Sequence, residues 1–312
     1  MDKLTQDLIA AISEYQNGEY ENAAYNIREN GGCAGRKSTE NIVIEGKPDG
    51  SGIDIYIKEG TKDESVFIPA CVTRGNVVDT VYNDFHVGKN ADVRIIAGCG
   101  IHSDAHDDGD STHNGVHRFF VGEGAHVIYE EKHIGTGEGG GGKHIDPVAH
   151  LELEADSVLE MNTVQISGVD TTTKKTTGRL ADRAKLVIRE SILTEWNQTA
   201  ETEFEIDMDG EDCAVDLVSR SVAKDESYQN YHSVIRGNNR CTGHSECDAI
   251  LVGHGKVNAA PELYAGHLDA SLIHEAAIGK VAGEQILKLR TLGLNEEEAE
   301  ETIINGFLKA EG

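Results

Sequence analysis

Val121-Gly-Glu-Gly-Ala-His-Val-Ile-Tyr129 opens with a polar turn, sets one small residue after it and runs directly into a strand-forming stretch. The same theme occurs in Val87-Gly-Lys-Asn-Ala-Asp-Val-Arg-Ile-Ile96, Leu153-Glu-Ala-Asp-Ser-Val-Leu-Glu-Met161, Leu180-Ala-Asp-Arg-Ala-Lys-Leu-Val-Ile188 and Met208-Asp-Gly-Glu-Asp-Cys-Ala-Val-Asp-Leu217. Aligning Ala91, Ala125, Ala155, Ala184 and Ala214 gives spacings of 34, 30, 29 and 30 residues. A near-constant period of that size predicts the coils of a β-solenoid, because one rung cannot bury its own apolar face and must stack on the next. A β-sandwich would instead call for turn signals every 8–12 residues or so.

Outward from this centre, Asn41-Ile-Val-Ile-Glu45 and Gly52-Ile-Asp-Ile-Tyr-Ile-Lys58 alternate in strand fashion. Before them, Leu4, Leu8, Ile9, Ile12 and Tyr15 fall near helical spacing, and Glu19 to Arg28 extends that character until Gly31-Gly32. After Pro261, Gln285 to Leu294 reads as a helix ending at Gly293, and Asn295 as the N-cap of a second helix whose first turn carries Glu296, Glu297 and Glu298. The expected organisation is an N-terminal helical segment over 1–40, a β-helix core over 41–260 and a C-terminal segment over 261–312 that ends in an αα-hairpin. The Gly-rich 135–143 and Thr-rich 171–177 stretches read as loops.

With 312 residues, 35 Gly and only 4 Pro, the chain is rich in tight turns. Its 55 acidic against 28 basic residues give a formal charge of −27, which opposes attraction to phosphate backbones and anionic lipid, so neither nucleic acid nor membrane is expected as a partner. The N-terminus lacks the basic start and apolar run of a signal peptide, and a cytoplasmic location is expected. The six scattered cysteines, Cys33, Cys71, Cys99, Cys213, Cys241 and Cys247, are expected to be reduced.

Two motifs fail on context. Gly137 to Lys143 fits the spacing of a phosphate-cradling loop, but His144 and Asp146-Pro147 follow where a Ser or Thr and an apolar helix belong. His274-Glu275-Ala-Ala-Ile278 begins like a zinc-protease motif and then lacks its second histidine. A stronger rival is the histidine-rich loop 99–117, where Cys99, His102, His106, His113 and His117 lie among Asp104, Asp107, Asp108 and Asp110. It could hold a divalent metal, and a metal-dependent β-helix enzyme acting on a carbohydrate or acyl substrate is the alternative function. Cys241-Thr-Gly-His244-Ser-Glu-Cys247 sets two thiols and an imidazole within seven residues, which on its own is a weak metal signal.

In the C-terminal third, Glu246-Cys247-Asp248-Ala-Ile-Leu-Val-Gly253, then Ser271-Leu-Ile-His274-Glu275-Ala-Ala-Ile-Gly279-Lys280, then Asn305-Gly306-Phe307 follow one another in an order and approximate spacing that resemble the SufB/SufD family, closer to SufB than to SufD. Leu287-Lys288 and Leu292-Gly293 depart from the usual aromatic pair and Arg-Gly. The resemblance implies a right-handed parallel β-helix and a non-catalytic scaffold for iron-sulfur cluster assembly. It implies Cys247, Glu275 and His274 as ligands of iron and the nascent, transient cluster, with no nucleotide bound by this chain. It further implies a homodimer through the β-helix, a SufC-type ABC ATPase docked on the αα-hairpin, a sulfur donor and apo-protein acceptors. Cys33, Cys71, Cys99, Cys213 and Cys241 receive no role.

Overall fold

The computed structural model describes residues 2–13, 23–104, 109–166 and 168–309. Helix α1 (Lys3–Ser13) leads into β1 (Ala24–Glu29), β2 (Gly32–Lys37) and β3 (Ile42–Gly46). Strand pairs then follow in coils: β4 (Gly52–Ile57) with β5 (Lys62–Val72), β6 (Val78–Val87) with β7 (Asp92–His102), and β8 (Ser111–Val121) with β9 (His126–Thr136). Next come β10 (Lys143–Ile145) and β11 (Val148–Leu153) with β12 (Val158–Ile166), β13 (Thr171–Leu180) with β14 (Lys185–Thr194), and β15 (Thr199–Met208) with β16 (Cys213–Ala223). The series closes with β17 (Tyr228–Gly237) and β18 (Cys241–Leu251), β19 (Lys256–Ala265) and β20 (Ala270–Gly279), then α2 (Gly283–Thr291) and α3 (Glu296–Lys309).

Each coil contributes to both of two 10-stranded sheets, in the orders β2-β1-β5-β7-β9-β12-β14-β16-β18-β20 and β19-β17-β15-β13-β10-β8-β6-β4-β3, with β11 beside β10 as the tenth strand of the second, also pairing β13 and β8. All pairings from coil to coil are parallel, so the chain is a β-solenoid of about 8 turns. Strand-to-strand distance along the sequence varies: His102 meets Thr136, 34 residues on, and Thr172 meets Ile145, 27 residues back.

The corners that lead from the second sheet into the first share one rule. Asn90, Gly124, Asp156, Arg183 and Asp212 adopt left-handed backbone, which Gly, Asn and Asp tolerate best. The next residue in each case is small and buried: Ala91, Ala125, Ser157, Ala184 and Cys213, with Cys241 and Ala270 continuing the column. Ala155 and Ala214 therefore sit two and one positions off the true register, which passes through Ser157 and Cys213. Cys213 and Cys241 are corner residues filling a space that admits only small side chains. Between the sheets, aligned positions stack on one another; the rings of Phe85 and Phe119 lie 4.5 Å apart at 11° and Tyr129 meets Phe119 edge-on.

Several expectations need correction. Residues 24–29 and 32–37 are strands, and the rest of the second helical stretch, Glu19 to Glu21 and Asn22, with Tyr15, lies outside the described residues. Ala24 buries in the main core and Ile27 on the opposite face under α1, and β1 extends the sheet by pairing with β5. The Thr-rich 171–177 stretch is strand β13, with Thr172 and Thr176 facing inward, as β-branched residues favour. The solenoid does not stop at 260 but continues to Gly279; Pro261 lies in β19, at the edge of its sheet, where a residue without an N–H is tolerated.

Helix α1 covers β5, β7 and β9 from outside, burying Leu8, Ile9 and Ile12 against Ile27, Cys71 and Ile134. The contact is close because two glycines lie under it: a Cβ on Gly98 would stand 3.1 Å from Ile12 Cβ, and one on Gly100 3.2 Å from Leu8 Cδ2. At the other end, α3 lies against β14 and β16 with Ala299 and Ile304 buried, and Ser191 Oγ donates to Leu308 O at 2.9 Å. Asn295 caps it reciprocally: Glu298 N donates to Asn295 Oδ1 at 2.9 Å and Asn295 N to Glu298 Oε2 at 2.8 Å. Among the described residues no helix is long and apolar enough to cross a membrane.

The corner rule is testable. Ala184→Leu should lower the unfolding free energy by about 1–3 kcal/mol through overpacking, whereas Lys185→Leu one residue on, pointing to solvent, should change it by less than about 0.5 kcal/mol, both read by denaturant unfolding.

Candidate functional site

The interior of the solenoid is not uniformly apolar. One inward-facing column runs Ala97, Glu131, Thr163, Glu190, Ser219, Cys247 and Ala276 on successive coils. Beside it a second runs Cys99, His133 and Gln165. All of these up to Cys247 are buried. Buried charges must be paired or bonded to persist, and here they are: Lys174 Nζ lies 3.0 Å from Glu190 Oε1 and 2.6 Å from Thr163 Oγ1, while Ser219 Oγ donates to Glu190 Oε2 at 2.9 Å.

Further up, a directed chain fixes a histidine's proton. Tyr129 Oη donates to Glu131 Oε1 at 2.9 Å, so it accepts from His117 Nδ1 at 2.8 Å, and His117 Nε2 is left to accept from Asn83 Nδ2 at 3.3 Å. This assignment requires neutral His117, in accord with burial, which lowers its pKa to about 4. His113 Nδ1 lies 3.0 Å from Asp79 Oδ2, whose carboxyl also receives Arg28. Burial opposes the Asp79 charge, but those partners outweigh it and hold the group well below the usual carboxylate range. The histidine-rich segment is therefore not a loop: His102 ends β7 and binds Thr136, and His113 and His117 are on β8 inside the body. No group of three metal donors forms from it among the described residues, and His106, Asp107 and Asp108 lie outside them.

Cys247 ends the buried polar column on β18. Burial pushes its thiol up to about 12, and the Glu190 and Asp248 carboxylates push the same way. His274 and Glu275 lie on β20, the neighbouring strand, so the His-Glu pair is on a strand rather than a helix and its two side chains take opposite faces. His274 pairs with Ser245 and shares the inner face with Cys247; its Nδ1 is buried and has no hydrogen-bond partner among the described residues. Glu275 pairs with Glu246 on the outer face, where those two carboxylates and His244 bring donor atoms within 4.8 Å of one another. One chain thus brings Cys247, His274 and Glu275 onto adjacent strands but splits them across the sheet. His244 stood out in the sequence only as the imidazole between Cys241 and Cys247, whereas the structure sets it with Glu246 and Glu275; Glu246, Glu190 and Ser219 were not picked out as site residues, although the alternation of His244 and Glu246 two residues apart was a signal for Glu246.

The Gly137–Gly142 run leads into strand β10 rather than a helix, and Lys143 Nζ turns to Asp170 at 3.7 Å. Beyond Cys247, the last coil is open: β19 and β20 each end their sheet, with Leu263, Tyr264, Leu268, Ile273 and Ile278 exposed.

Residues 73–307 match the family model described as SUF system FeS cluster assembly, SufBD core domain. The chain belongs to the SufBD family. It is 27% identical over 260 residues to an iron-sulfur cluster assembly SufBD family protein of Methanothermobacter thermautotrophicus (strain Winter), covering 81% of this chain and 62% of that protein. A protein of the same description from Pyrococcus horikoshii is 27% identical over 286 residues, covering 88% and 83%. One from Archaeoglobus fulgidus is 25% identical over 265 residues, covering 84% and 69%. The chain thus spans 62% of the length of the Methanothermobacter relative. The SufBD match includes the solenoid coils from β6 to β20, α2 and most of α3.

Thiol environment orders cysteine reactivity. Exposed Cys33 should be alkylated by iodoacetamide first at pH 7.5, and Cys247 far more slowly, as site-resolved mass spectrometry would show. The sign for stability follows: between the ordinary value of 9.0 and about 12 the unfolded chain sheds the Cys247 proton and the folded chain keeps it, so stability should fall as pH rises through that window.

Proposed function

We propose that this chain is a scaffold on which iron-sulfur clusters are assembled and from which they pass to apo-protein acceptors. It works in the cytoplasm without itself performing catalysis. The observation that carries this reading is Cys247, a thiol at the end of a buried polar column, one coil from the open end of a SufBD-family solenoid. The relatives are named as iron-sulfur cluster assembly proteins, which supports the same function here.

In this reading iron and sulfide are the cargo. Cys247 supplies the thiolate after the thiol, stable as long as it is buried, is exposed or meets a metal that displaces its proton. His274 supplies a nitrogen from the same inner face, and Glu275 a carboxylate from the outer one. One thiol per chain is too few for a cluster. Two copies joined through the unpaired edges of β19 and β20 would supply two of every ligand about a two-fold axis. The unpaired strand edges and the exposed Leu263, Tyr264 and Ile273 support that pairing.

Opening of the seam is assigned to an ABC ATPase of the SufC type. The α2–α3 hairpin suits its docking: α3 is anchored on the sheet, whereas α2 buries none of its residues and exposes Leu287, with Leu292 exposed just after it. A sulfur donor completes the partners.

Three measurements test this reading. Cys247→Ala should fold and pair normally but form no cluster on anaerobic reconstitution with iron and sulfide; a normal visible spectrum from the variant would refute the assignment. Leu263→Lys, at the open end, should convert the pair to single chains in sedimentation velocity. Leu287→Glu with Leu292→Glu should abolish coelution with the ATPase while leaving reconstitution unchanged.

A further inference from the structure

The geometry points to a mononuclear site for a divalent transition metal on the outer face of β18 and β20, built from His244, Glu246 and Glu275 and separate from the Cys247 thiol. The three donor atoms lie within 4.8 Å of one another, so small side-chain movements would close them on one ion. Strand alternation places His244 and Glu246 on one face of β18, and parallel register sets Glu275 directly opposite Glu246.

The charges around this group differ from those on the rest of the surface. Like charges directly opposite one another on neighbouring strands are unfavourable, and along the solenoid outward carboxylates repeatedly face a cation on a nearby coil, as in Arg94–Glu130, Lys175–Glu203, Arg183–Asp156 and Arg236–Glu205. Where two carboxylates do face each other, at Asp54 and Asp84, Lys47 Nζ lies between them at 2.6 and 2.8 Å, and Arg118 also holds Asp84. That earlier group, which includes His86, already has its cation. Among the described residues, Glu246 and Glu275 have no Lys or Arg partner, and only the imidazole of His244 stands with them.

His244 is oriented from behind. Its Nδ1 lies 2.8 Å from Asp216 Oδ1, and Asp216 Oδ2 receives Arg189 Nη2 at 2.5 Å. Burial disfavours the Asp216 charge, but the hydrogen bonds from His244 and Arg189 outweigh it and lower its pKa. The arrangement fixes the tautomer with the proton on Nδ1 and leaves Nε2 for a metal, as a carboxylate behind a ligating histidine does. One nitrogen and two carboxylates are a donor set for iron(II), manganese(II), cobalt(II) or zinc(II); the imidazole disfavours calcium and magnesium. Glu275 is shared with the assembly reading, but this site needs neither sulfide nor Cys247, so the two can fail separately.

Cobalt(II) is the probe, titrated anaerobically into the chelator-treated full chain and followed by visible absorption. Wild type and Cys247→Ala should each bind one ion per chain with no thiolate-to-metal band near the ultraviolet. Glu246→Gln and Glu275→Gln, which keep side-chain shape, and His244→Ala should weaken binding at least about tenfold, and Asp216→Asn by about 10–100-fold, with unchanged circular dichroism. If His244→Ala melts early, the two Gln variants decide. No binding by wild type, unchanged affinity in the Gln variants, or loss of binding in Cys247→Ala would each overturn the site.

Discussion

Every other feature of this protein depends on parallel hydrogen bonding between equivalent strands of successive coils. No coil can cover its own apolar face, so each depends on a neighbouring coil for its stability. The register that results is strict because side chains alternate; a slip of one residue would turn the stacked Phe85 and Phe119 outward and Asp84 inward. The small residues after Asn90, Gly124, Asp156, Arg183 and Asp212 let the chain turn from one sheet to the other without opening a gap. Their size, more than their chemistry, is what the position selects, and Cys213 and Cys241 fit there for the same reason as Ala184.

Strict register also concentrates chemistry. A residue placed inward at a given position lies on the equivalent residue of the next coil, so a few polar choices made once per coil become a continuous buried column. Glu190 and Ser219 owe their hydrogen bond to this, and Lys174 reaches Thr163 and Glu190 from the facing sheet. Cys247 is the last buried member. The same register on the outer face makes ladders of alternating charge, and it makes the exception at Glu246 and Glu275 visible.

The period of about 30 residues was enough to read the architecture from sequence, because a solenoid announces itself by repetition. Register was not readable to the residue. Coil lengths differ, and the alignment through Ala155 and Ala214 missed Ser157 and Cys213, whose small size served the corner equally well. That error matters little for the fold, but it hides contacts: Glu190 and Ser219 meet Cys247 only when the offsets are correct. The motif residues Cys247, His274 and Glu275 could be found as a set, whereas their division between two faces could not, since it depends on His274 and Glu275 belonging to a strand. Ala24 to Arg28 misled for a related reason: a short apolar run fits helix and strand alike until a pairing partner, here β5, decides.

The two ends of the solenoid are unlike. At the first, β1 turns back on β2 and β3 pairs with β4, both antiparallel, so the sheet orders end in reversed strands. At the second, β19 and β20 finish in the same sense as every coil before them. A rod that was open at both ends could add copies head to tail without limit and grow into a fibre. With one end reversed, the pairing of open ends proposed above would leave only reversed strands at the two outer ends of the pair, so it would not repeat by the same contact.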